Sequence, residues 1–343
     1  MQTAEYLLAE RVVVKDYEFT IAQCDVIDKA ALAAFREKRR IWLVWLETDE
    51  HHAIWQVLST MVWRDVVFRT IAEIANSNPL SGFHNPLLSE ALLSGYFATQ
   101  VLAIRRLMDN ANKEVISLPR LLKDIRRNLK ICTRENVVGF DGLPYDYEAV
   151  QQRIMLQQIR QSGGAFWAAR TGPDAYLAAQ MAHQKFDRLS RVRPEDRSRN
   201  DHLPKRVIDE LDRWLEKSGA DEIVKWSHTL LAHAVGPNSP NRSAIAAAAP
   251  TADKITGCIR GFVQVAEAVT NTILGHSGRG MLVPVPQFNP FEGMTSPLAS
   301  QHQSRQSMDA CWDRFAKERN EFLEGIETAL IYHEVSDEAG GAL

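Results

Sequence analysis

A lysine, a serine and two histidines crowd into one short stretch, Glu222-Ile-Val-Lys225-Trp226-Ser227-His228-Thr229-Leu230-Leu231-Ala232-His233-Ala-Val-Gly236-Pro237. Ile223, Leu230 and Ala234 recur at helical spacing, with Val224 and Leu231 beside them, so the stretch reads as a helix with one buried and one polar face. Gly236-Pro237 stops it. His233 then falls in the last turn, where carbonyls without intrahelical partners carry partial negative charge and favour an imidazolium. A histidine titrating near neutrality can give or take a proton in catalysis. The same position also suits a capping histidine that donates to those carbonyls. At ~100° per residue Lys225 lies roughly 80° around the helix from His233, and His228 roughly 140°. Lys225 is the nearer partner, and His228 reads as a solvated or packing residue.

The elements that must position this helix are themselves helical in pattern. Residues 27–46 put apolar side chains on one side and the run Arg36, Lys38, Arg39 and Arg40 on another, which reads as a wet face. Thr48-Asp49-Glu50 marks the start of a long helix reaching Asn76. Residues 86–104 are apolar nearly all round, the pattern of a central buried helix, and run into Arg105-Arg106-Leu107-Met108-Asp109. Ser117 with Pro119 opens the next helix. Its Arg120, Lys123, Arg126, Arg127, Lys130 and Arg134, opposed within the run only by Asp124, could track a phosphate backbone or form a solvated face.

Helices over 148–161 and 173–189 lead to a basic loop, 188–206, expected to be mobile, in which Arg191, Arg193, Arg197 and Arg199 are candidate contacts to RNA or a partner. The cleanest period belongs to Ile255, Ile259, Phe262, Ala266, Val269 and Ile273, at alternating steps of four and three, which is a bundle-packing pattern. Residues 278–297, with Pro284, Pro286 and Pro290, form an extended non-helical excursion before a last helix over 305–333. The fold class is all-α, a multi-helix up-and-down bundle. It divides into an N-terminal arm (1–26), a helical domain (27–276), and a Pro-rich excursion with a C-terminal helix (277–343).

Composition narrows the function classes. A net charge of −3 over 343 residues gives no global pull towards nucleic acid, so RNA affinity must come from local patches. Cys24, Cys132, Cys258 and Cys311 are scattered without a CxxC pair, and the start lacks a basic region followed by an apolar core, which indicates a reducing cytoplasm and thiols packed in helices. No apolar run reaches the ~20 residues of a membrane span. GxGxxG, GxxxxGK[ST], HExxH and GxSxG are absent, so the nucleotide-binding, zinc-protease and α/β-hydrolase readings have no support, and no cofactor or metal is expected.

Ala232-His233 preceded by its polar run, with Arg105-Arg106-Leu107-Met108-Asp109 and Ile116-Ser117-Leu118-Pro119-Arg120-Leu121-Leu122 upstream, resembles the abortive-infection AbiU-type branch of the HEPN superfamily. The resemblance covers roughly residues 35–275. It implies a HEPN-like helical fold, a role in phage defence or a toxin–antitoxin system, and metal-free action on RNA. It also implies a homodimer that pairs motif helices, and an antitoxin as a protein partner. His233 would then be the acid or base, Lys225, Arg105 or Arg106 would stabilise developing charge, and Asp109 would belong to the polar cluster facing the histidine. One departure is plain. HEPN ribonucleases carry an arginine four to six intervening residues before the histidine, and those positions here hold His228, Ser227 and Trp226. Lys225 supplies a charge but not the planar two-point grip of a guanidinium. Two functions follow: a metal-independent endoribonuclease, or a catalytically inactive HEPN-fold subunit that binds RNA or protein.

Overall fold

The computed structural model describes residues 17–49, 52–79, 81–84, 86–112, 114–160, 169–227, 249–287, 289 and 301–331. Among them the regular elements are all helical, with one isolated antiparallel bridge between Thr133 and His202. They are α1 (Lys29–Leu43), α2 (Ile54–Asn76), α3 (Pro86–Leu107), α4 (Leu118–Arg127), α5 (Arg134–Gly139), α6 (Tyr147–Arg160), α7 (Tyr176–Ser190), α8 (Lys205–Lys217), α9 (Ala220–Ser227), α10 (Ala252–Glu267), α11 (Gln301–Asn320) and α12 (Ile326–Ile331). Side-chain oxygens start several of them. Asp28 accepts from Ala31 N at α1, Ser117 from Arg120 N at α4 and Thr251 from Lys254 N at α10, each satisfying an amide that has no intrahelical partner.

α10 and α2 form the centre. Every residue of the four-and-three stripe, Ile255 through Ile273, is buried, so the period read from sequence is the packing face. α10 packs on α2 and α8, while α2 also packs on α3 and α11. Gly261 lets α10 approach α8 closely: a Cβ there would lie 2.6 Å from Ser218 Cβ and 3.3 Å from the Trp214 carbonyl oxygen.

Several expectations are corrected. α3 is not the central helix, because its first half is open to solvent, with Leu88 41% and Leu93 44% exposed. The charge run of α1 is not a wet face. Arg36 and Arg39 are buried, Arg36 donating to the carbonyls of Phe140 (2.7 Å) and Phe19 (2.8 Å), and Arg39 to that of Leu274 (2.9 Å) while lying over the Phe140 ring. Only alternate members of the run face out, because residues three apart share one helix face.

Thr48-Asp49-Glu50 does not open a helix. α1 runs on through a π turn, Val44–Thr48, and α2 begins at Ile54. α10 likewise continues through a π turn, Ala268–Ile273. The last helix is broken at Gly325, whose φ of 68° is left-handed, separating α11 from α12. Residues 278–287 are non-helical, and the rest of the expected excursion, except Asn289, lies outside the described residues. The end of the arm is integral to the fold, since Cys24 and Val26 are buried against Leu32.

One buried ionic node joins four helices. Asp65 of α2 and Arg319 of α11 are both fully buried, with Arg319 Nη2 2.6 Å and Nε 2.8 Å from Asp65 Oδ2. The other carboxylate oxygen accepts from Tyr96 Oη of α3 (2.6 Å) and Arg69 Nε (3.2 Å), and Arg69 Nη2 donates to Thr256 Oγ1 of α10 (2.7 Å). Burial, followed by the Asp65 charge, pushes the Tyr96 phenol far above its ordinary value, so it stays a donor.

Two stability predictions follow from this packing. Asp65→Ala strands the Arg319 guanidinium and is expected to cost about 3–5 kcal/mol in urea unfolding. Gly261→Ala forces α8 and α10 apart. The overpacking, about 1–3 kcal/mol, outweighs the gain of about 1 kcal/mol in helix propensity, so a lowered thermal midpoint is expected.

Candidate functional site

α9 presents the start of the chemical stretch. Ala220, Ile223 and Ser227 are its buried face and Lys225 is exposed, which matches the phase set by Ile223 in the sequence. Ser227 Oγ donates to the Val224 carbonyl at 2.7 Å. His228 and His233 lie outside the described residues. α9 packs against α3 and α8, so the helix leading to the histidines adjoins the helix that ends in Arg105 and Arg106. Both arginines are half-buried, and Arg106 lines a cavity of about 330 Å³ between α2 and α3 together with Gln56, Thr60 and Arg64. Asp109 is engaged in the fold, since its Oδ1 accepts from Ala111 N (2.9 Å) and Asn112 N (3.2 Å), and its carbonyl accepts from Ser117 Oγ (2.6 Å). It thereby shapes the loop between α3 and α4.

The cations of α4 are divided between fold and solvent. Arg120 donates to the Val115 carbonyl (2.8 Å) and stacks over Trp45, and Arg126 pairs with Asp209 (2.7 Å) and Asp212 (2.5 Å) of α8. Lys123, Arg127 and Lys130 are exposed. The basic loop 188–206 is more fully committed to internal pairs. Arg197 grips Asp187 through Nε and Nη2 (2.6 Å to Oδ2), and Arg199 reaches Asp25 (3.0 Å) and Glu135 (3.6 Å). Arg193 pairs with Asp196 at 2.8 Å, and Arg191 sits exposed in a left-handed turn at φ 58°. Leu203 N donates to the Cys132 carbonyl and Arg134 N to that of Asp201, so the loop is tied to the chain before α5 rather than loose. The expectation of a mobile loop fails because Arg188, Arg193, Arg197 and Arg199 have acidic partners, most of them on other segments.

Behind that loop, fully buried Arg134 bridges Asp187 (2.6 Å) and Asp201 (2.7 Å), and His183 of α7 donates through Nε2 to the Tyr145 carbonyl (3.0 Å). Nδ1 of His183 is buried without a partner, which suits the neutral ring. Burial first, then the Arg134 charge and more weakly that of Arg197, depress the His183 pKa from 6.5 to about 4, against smaller opposing effects of the hydrogen bond to the Tyr145 carbonyl and of Asp187. Because the folded ring binds its proton less readily than the unfolded one, stability is full above pH 6.5. It falls as pH drops towards 4, by about 3 kcal/mol in the limit. Urea unfolding between pH 7 and 4.5 should therefore show a shallower loss in His183→Gln than in the wild type, and parallel profiles would sink this assignment.

Three features lie outside the residues singled out from the sequence. His276 Nε2 meets Glu47 Oε2 at 3.1 Å, joining the ends of the two π turns across the bundle. The Asp65 node has a faint signal, since Asp65 shares a helical face with Leu58, Met61 and Val62 and an acid on an apolar stripe demands a partner. Beyond Arg64 the α2–α3 seam opens into an apolar cavity of about 730 Å³ floored by the stacked rings of Phe68 and Tyr96, whose centroids are 3.9 Å apart. Burial of Cys132 and Cys258 pushes each thiol up to about 12, so neither is a nucleophile. Among the described residues no helix is long and apolar enough to cross a membrane.

No family model, no curated protein and no solved structure matches the chain.

Proposed function

We propose that the chain is a HEPN-like protein of phage defence or toxin type, cytoplasmic and homodimeric, that acts on RNA without a metal. The observation that supports this reading is the packing of α9 against α3, because it makes the stretch leading to His233 a neighbour of the helix carrying Arg105 and Arg106. In this reading His233 takes the proton of a ribose 2′-hydroxyl as its oxygen attacks the adjacent phosphate. The 5′-oxygen leaves and is protonated, and Lys225, Arg105 or Arg106 stabilises the charge on the phosphate. RNA approach falls to Lys123, Arg127 and Lys130, the exposed cations of α4 and the turn after it, since Arg126, Arg197 and Arg199 are engaged internally.

A second reading has its own support. No arginine stands at the motif position and Asp109 caps a loop, an arrangement equally suited to a catalytically silent subunit that binds RNA or an antitoxin-like protein.

Cleavage of a mixed tRNA and single-stranded RNA panel in the presence of a chelator separates the two. The ribonuclease reading expects cutting that survives chelation, yields 2′,3′-cyclic phosphate ends and drops about 10²–10⁴-fold in His233→Ala. If neither protein cuts while both retain RNA, the binding-subunit reading stands in its place.

A further inference from the structure

We infer that the groove between α2 and α3 is a binding site for a single-chain anionic amphiphile, a free long-chain carboxylate. The groove is preformed. Tyr96, half of its aromatic floor, is held from below by the buried Asp65 carboxylate, which Arg319 fixes in turn, so the floor does not collapse into the space above it. Its volume of about 730 Å³ lies within the range of small-ligand sites and its walls are mainly aliphatic and aromatic. Gly95 also lines it, and a Cβ added there would meet nothing within 4 Å, so the space reaches down to the α3 backbone.

The occupant's charge is set by what stands where the groove meets the smaller α2–α3 cavity. Arg64 and Thr99 belong to both spaces, and Arg106 lines the smaller one. Neither space has an aspartate or glutamate on its described lining. Arg64 is exposed and has no hydrogen bond or ion pair among the described residues. An apolar trough ending beside an unmatched guanidinium complements an apolar chain that ends in an anion.

Length agrees with charge. From Trp63 to Asn76 along α2 the lining spans roughly 20 Å, and from Ser89 to Thr99 along α3 roughly 15 Å, at 1.5 Å per residue. That is a trough for an extended chain rather than a slot for a compact ring. A second copy of this chain is the rival occupant, since Leu88 and Leu93 are exposed on the same helix, but it offers no reason for an unmatched arginine at one end.

Dodecanoate titrated calorimetrically into the purified full chain, below its micelle concentration, tests this. The expected result is one site per chain. Each methylene buried adds roughly fourfold in affinity, so octanoate should bind on the order of 10²-fold more weakly than dodecanoate. Arg64→Gln should weaken dodecanoate roughly two- to fivefold and leave dodecanol unaffected. Gly95→Leu should abolish binding while helicity and thermal midpoint hold or rise, because leucine fills the groove and favours helix. Absence of saturable heat, or affinity unchanged in Gly95→Leu, overturns the proposal. Adsorption to phosphatidylglycerol vesicles without dodecanoate binding overturns it in favour of a membrane surface. A dimer that Gly95→Leu dissociates, again without dodecanoate binding, overturns it in favour of a second copy.

Discussion

A fully buried carboxylate in the middle of α2 constrains this bundle more than any apolar contact does. Asp65 can exist there only if cations and donors surround it, because an isolated charge in a low-dielectric interior is prohibitively costly. Its partners come from α2 itself, α3 and α11, and through Thr256 the network reaches α10. Hydrophobic burial alone tolerates sliding between helices. An arginine that grips through two nitrogens does not, so the node fixes the register of α11 on α2 and the height of Tyr96 on α3. The groove floor inherits its rigidity from that geometry.

The helices are legible because their signals are local. Ser117 with Pro119 and the stripe from Ile255 to Ile273 are statements about residues within a few turns of each other, and the structure follows them. What is illegible is which charge is buried. Asp65 meets Arg319, Glu47 meets His276 and Arg39 meets Leu274, each pair separated by more than two hundred residues. A run such as Arg36 to Arg40 looks wet until the chain that covers two of its members is in place. The reverse holds at α3, where all-round apolarity points to burial and the surface instead carries a groove.

The candidate site is legible to the same depth. Helix α9 and its buried face lie where the phase of Ile223 puts them, whereas its packing against the helix bearing Arg105 and Arg106 is a tertiary contact that helix phase alone does not give. The roles of individual cations do not follow from spacing. Arg126 and Lys123 are three residues apart on one helix, yet acids on α8 bind the first and solvent the second. Counting basic residues therefore overstates the surface available to a phosphate backbone, and the same holds for Arg197 and Arg199 in the loop before α8.

The bridge between Thr133 and His202 bears on the chain's topology. Cys132 and Leu203 are joined by a backbone hydrogen bond, as are Arg134 and Asp201, so the path from α5 through α7 leaves the bundle and returns to it at one point. Residues 134–201 are in that sense a detour with touching ends, stitched shut by the Arg134 bridge to Asp187 and Asp201. Insertions and deletions within such a closed excursion leave the entry and exit points of the remaining helices where they are. The detour is nonetheless pinned to the bundle along its length, because the Phe140 carbonyl accepts from Arg36, Lys185 donates to Asn271 and Leu189 packs in the main core.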